Sequence, residues 1–111
     1  TESEAAPPDE DTPEPDAPLT EEQWRDRINN LRQERDRAQL LAEALQSRVD
    51  GLWADFTARD NPVERSVIEQ NRLAAVDELE NTIAAVEDLD QELADIQDEA
   101  RRANVPPGWL R

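Results

Sequence analysis

The sequence predicts an all-α fold: an antiparallel two-helix coiled-coil hairpin with an acidic Pro-rich N-terminal tail and a short extended C-terminal tail. Three observations predict it. Apolar residues recur at spacings of three and four along residues 20–59 and again along 62–103, as a single buried helix face requires. Between the two stretches sits Asp60-Asn61-Pro62, which stops one helix and starts another. The 111 residues include only two glycines, one phenylalanine and no tyrosine, and no run alternates with period two, so the usual material of strands and hairpin turns is missing. Three parts follow: an acidic tail over 1–18, a hairpin over 19–104 with helices at about 20–59 and 62–103, and a tryptophan-bearing extended segment over 105–111.

Residues 1–18 hold seven carboxylates, five prolines and no basic residue. A segment of this kind buries too little apolar surface to offset its ordering entropy, so it is expected to be disordered on its own. The first helix starts at Thr20 as N-cap, with Gln23 completing a capping box and Leu19 and Trp24 at the staple positions. Heptad positions d then fall on Trp24, Leu31, Ala38, Leu45 and Leu52, and positions a on Ile28, Arg35, Ala42, Val49 and Phe56. Leu41 and Trp53 flank this seam at g and e. Gly51 is a weak point within the helix, and relief of crowding around Trp53 would explain it. Asn61 precedes proline, leaves the α region and caps the second helix, whose first turn carries Pro62 and Glu64.

In the second helix the apolar stripe reads Val67 or Ile68, Arg72, Ala75 or Val76, Leu79, Ile83 and Val86, then Leu89, Leu93, Ile96, Ala100 and Ala103. So read, the spacing shortens between Val86 and Leu89, which predicts a local shift of the stripe. Asn104 to Pro107 ends the helix, with Arg101 and Arg102 at the carbonyl end of its dipole. Folding about Asn61 places Phe56 opposite Arg65 and Ile28 opposite Leu93. It also lays Arg25, Arg27, Arg32, Arg35 and Arg37 along residues 77–99, which contain ten carboxylates and no basic residue. Flanks of opposite charge set register more than they add stability. Arg35, at a seam position, is a register-setting candidate through Asp90 or Glu87; the alternative is that it snorkels with its charge in water.

Composition excludes several classes of function. The net charge of −16 repels nucleic acid and anionic membrane surfaces, and no stretch is apolar enough to span a bilayer. Without cysteine or histidine there is no thiolate or imidazole metal site and no cysteine or serine-histidine nucleophile system. The carboxylates lack the glycine-bearing turns of a calcium loop, and a two-helix rod offers no pocket for a small-molecule substrate. No cofactor, metal or catalytic residue is expected. The interaction candidates are Trp24 and the flanking Leu41 and Trp53, together with Pro106, Pro107, Trp109 and Leu110 near the end of the chain. Residues 105–111 either dock on a partner, fold back on Trp24 and Ile28, or stay free.

The Arg59-Asp60-Asn61-Pro62 turn, the acidic helix after it and the closing Ala103 to Arg111 segment, with its Pro-Pro-Gly-Trp-Leu-Arg ending, resemble a group of uncharacterised exported bacterial coiled-coil proteins. The resemblance covers about residues 50–111. It implies a periplasmic or secreted coiled coil and no particular activity. An opening at Thr1 on a polar proline-rich stretch fits a mature exported chain, though a fragment of a longer chain reads the same way. The functional expectation is a non-enzymatic structural or accessory subunit that assembles with itself or a larger protein complex through its hairpin and tails. The alternative is an acidic adaptor or chaperone-like module for a basic protein, and salt sensitivity separates the two.

Overall fold

A computed structural model describes residues 18–111. The expectation of a disordered tail over 1–18 therefore lies, apart from Pro18, outside the described residues. Helix α1 spans Glu21–Ala58 and helix α2 spans Pro62–Arg102; a single 3-10 turn over Pro107–Leu110 follows, and the described residues contain no strand. The two long helices pack along each other as an antiparallel hairpin.

The ends of the helices are set by local chemistry. Thr20 is extended, its Oγ1 accepts from the Gln23 amide at 3.2 Å, and its own amide donates to Gln23 Oε1 at 2.8 Å, so the capping box is complete. At the turn, Asn61 Oδ1 accepts from the amides of Val63 at 2.8 Å and Glu64 at 3.2 Å, while Pro62 occupies the position where a missing amide proton costs nothing. Arg59 and Glu64 pair across the turn at 3.0 Å.

The seam of α1 runs as expected: each assigned a and d residue, Arg35 included, is buried or half-buried. In α2 the seam differs at one place. Thr82 is buried at 9% exposure, whereas Ile83 is 44% exposed. With Thr82 in place of Ile83, the positions Ile68, Arg72, Ala75, Leu79, Thr82, Val86, Leu89, Leu93, Ile96 and Ala100 form an unbroken heptad. The anticipated shift at Val86 does not exist, and Val67 and Ala103 are exposed. A buried threonine is tolerated because its hydroxyl donates to the Glu78 carbonyl one turn back at 2.8 Å.

Both expected pairs lie at the same level of the hairpin, but the pairing is offset. Ile28 shares its cluster with Leu93 as expected and also with Ile96 and Ala100, and Leu45 shares one with Leu79, so the pairing is centred about three residues further along α2 than folding about Asn61 suggests. Side chains on a helix lean toward its N-terminus. In an antiparallel pair those leans run in opposite directions: α1 side chains point away from the turn and α2 side chains point toward it. Each residue of α1 therefore meets a residue of α2 that starts farther from the turn. The long Arg65 still reaches Phe56, its guanidinium 4.2 Å from the ring centre.

The end of the chain is not extended. Asn104 adopts a left-handed φ of 59°, the Val105 amide donates to the Ala100 carbonyl at 2.9 Å, and the Asn104 amide donates to Arg101 at 3.1 Å. This is a Schellman cap, and its usual apolar contact is made by Val105 against the cluster that contains Ala100. Pro106 and Pro107 then lead into the 3-10 turn, which packs back on α1.

Candidate interaction surfaces

At the open end of the hairpin, Trp24, Ile28, Ile96 and Ala100 form a buried cluster. Leu19 closes it from before α1, and Val105, Trp109 and Leu110 close it from after α2. Ile28 has no exposed surface at all. Two arginines of α1 hold the returning chain by its carbonyls: Arg32 donates to Leu110 O at 2.7 Å and Arg25 to Gly108 O at 3.5 Å. These carbonyls lie at the C-terminal end of a 3-10 turn, where a cation is favoured. Trp24, Trp109 and Leu110, put forward as groups for a partner, thus pack on the chain's own end, and of the candidates in that segment Pro106 and Pro107 are exposed. The fold-back, one of three open readings of the segment, is the one observed.

Charge pairing between the helices is concentrated at the same end. Arg27 binds Glu99 through two hydrogen bonds of 3.0 and 3.2 Å and lies 5.1 Å from the Trp24 ring centre. Arg35 Nε donates to Asp90 at 2.9 Å. Of the two carboxylates named for Arg35, Asp90 takes the bond, while Glu87 stands exposed one turn away. The hydrogen bond from Arg27, reinforced by its charge, holds Glu99 below the usual carboxylate range, and the bond to Asp90 raises Arg35 above its usual value. Both pairs are wet, so they specify alignment more than they stabilise.

The turn end is built differently. No residue of α1 beyond Leu45 and none of α2 before Ala75 is buried. Trp53 stacks on Phe56 with ring centres 5.7 Å apart, Arg72 lies 5.6 Å from the Trp53 ring, and Glu69 accepts from Arg72 Nε at 3.1 Å. That hydrogen bond lowers Glu69 and raises Arg72 relative to their usual values. Arginine here supplies the cover that an apolar third element supplies at the other end. Trp53 nonetheless remains 52% exposed, and Val63, Val67 and Leu73 are more than half exposed as well.

Leu41 and Trp53 are exposed beside the seam as anticipated, and Ile68 and Leu89, read as part of the α2 stripe, are half-buried within it. The residue that sequence reasoning missed is Ile83. Counting strict heptads from Leu79 to Val86 would have put Thr82 in the seam and left the isoleucine on the flank. There Ile83 helps to line a shallow groove with Gln39, Ala42 and Leu79. Among the described residues no group of three or more carboxylates is placed to hold a metal ion, and no helix is long and apolar enough to cross a membrane.

No protein-family model, curated protein or solved structure matches this chain.

Proposed function

We propose that the protein is a non-enzymatic structural or accessory subunit, a short helical rod that joins a protein assembly through the long sides of its hairpin. The observation that carries this reading is the distribution of exposed apolar side chains. The open end has covered its own core, yet Leu41, Trp53, Leu73 and Ile83 stand in solvent along the rod. A two-helix hairpin that keeps such residues uncovered has surface suited to further helices or to a larger partner. An exported setting belongs to the same proposal and is supported by the resemblance over about residues 50–111.

The reading is tested by purifying the chain from its native extract at low salt and at about 1 M salt, where the Debye length shrinks to about 3 Å. An assembly held by apolar contact keeps its partner chains, or its own copies, at both. Release of every partner as salt rises would favour the acidic-clamp reading, in which the carboxylates of 1–18 and of the acidic second helix grip a basic protein. A chain of single-copy mass with nothing bound at either salt overturns both.

A further inference from the structure

The hairpin has two unlike long sides. One presents the g positions of both helices, among them Arg27, Glu34, Glu92 and Glu99. The other presents the e positions, and on this side the chain has already laid a third element, the returning segment gripped by Arg25 and Arg32 and flanked by Gln97. Below Arg32 that cover ends. The same side continues toward the turn past the Arg35–Asp90 pair, with Gln39, Gln46 and Trp53 on α1 and Ile83 and Val76 on α2, until Glu69, paired with Arg72, beside Trp53.

The spacing on this side is self-complementary. Gln46 lies one heptad from Trp53 in one direction and one heptad from Gln39 in the other. A two-fold axis through Gln46 therefore brings Trp53 of one copy onto the groove of the other, where Ala42, Leu79 and Ile83 offer apolar surface and Glu43 and Glu87 also line the opening, and does the reverse at the same time. We propose that a second copy of this chain covers this side, antiparallel to the first, forming a four-helix bundle in which each Trp53 fills the other's groove. This rests on the assembly reading above and names its partner.

Charge favours the same arrangement. Residues 48–73 carry four arginines against five carboxylates, whereas 77–99 carry ten carboxylates and no basic residue. Antiparallel overlap sets the turn end, with Arg59 and Arg65, against the partner's Glu87 and Asp90; parallel overlap would stack the two acidic stretches. The overlap from the turn to Arg35 is about 40 Å long at about 1.5 Å per residue, and two helices side by side are about 20 Å wide. That gives about 800 Å² per copy, the size of a standard specific interface. The returning segment occupies this side from Arg32 outward, so it also marks where the partner's tip must stop.

Light scattering of the full chain at about 1 M salt is expected to give twice the 12.6 kDa chain mass. Trp53→Glu is expected to give single-chain mass with unchanged helical circular dichroism, as is Ile83→Glu, while Ala85→Glu, at an exposed g position on the opposite side, keeps the dimer. Because the chain has no cysteine, Gln46→Cys reports the axis directly: mild oxidation should link it to its counterpart, and Ala85→Cys should stay unlinked. A wild-type chain of single-copy mass, or a dimer that survives both Trp53→Glu and Ile83→Glu, overturns the proposal. If the chain is a monomer yet other proteins stay bound to it at high salt, this inference falls and the assembly reading stands.

Discussion

The open end and the turn end of this hairpin share one heptad pattern and differ in what lies outside it. At the open end Trp24, Ile28, Ile96 and Ala100 are buried because a third segment, Val105 to Leu110, and a fourth contact, Leu19, wrap the pair. At the turn end Leu52, Phe56, Ile68 and Arg72 occupy equivalent seam positions but reach only partial burial, since nothing covers their flanks except arginine stems and the half-exposed Trp53. Two helices meet along a narrow line. An apolar residue on that line loses its last contact with water only when another element closes the side.

The sharpest way to break this comparison is to truncate one residue at each end. Ile28→Ala should cost about 2–5 kcal/mol, the range for a fully buried aliphatic, while Phe56→Ala at the turn should cost less than half as much. Chemical denaturation followed by circular dichroism measures both, and equal losses would mean that the ends are packed alike. Next in size, Trp109→Ala should cost about 2 kcal/mol, because the half-buried indole closes the open-end cluster. Amide exchange should quicken around Trp24 and Ala100 and stay unchanged around Phe56 in that variant.

Two changes of about 1 kcal/mol and opposite sign sharpen the picture at the turn end. Asn61→Ala removes the acceptor for two α2 amides and should destabilise by about 1 kcal/mol. Gly51→Ala should stabilise by about the same amount, since a Cβ there meets nothing within 4 Å and the residue is helical. The idea that this glycine relieves crowding around Trp53 is not supported by the space around it. The smallest expected effect is Glu99→Gln, a few tenths of a kcal/mol at neutral pH for an exposed pair. Because Arg27 lowers the Glu99 pKa in the folded state, the contribution is complete above the ordinary glutamate range and is lost as pH falls through the lowered value. The difference between wild type and Glu99→Gln should therefore vanish in acid; a difference that grew there would refute the assignment.

The folded architecture was largely legible from residue types, because its determinants are local. Thr20 with Gln23 and Asn61 with Pro62 to Glu64 carry their capping chemistry within four residues, and the cap at Asn104 and Val105 reaches back no further than Ala100. The candidate surfaces were legible only in part. Leu41 and Trp53 were readable as flanking residues from heptad counting, but Ile83 was hidden because its hydrophobicity outweighed the strict repeat that selects Thr82. The fate of Trp109 was not readable either. An anchor-type tryptophan after two prolines suits a partner's surface as well as it suits its own, and choosing between them takes the positions of Arg25 and Arg32.

By itself the sequence determined two helices, their caps, the doubling back at Asn61 and the opposition of arginines to carboxylates, since each follows from spacings within a few turns of chain. Only the tertiary structure decided the register, the occupant of the seam at Thr82 and the closing of the open end by the last residues. These depend on the direction in which side chains lean and on which surfaces remain uncovered once the helices meet. Neither is a property of any short stretch of sequence.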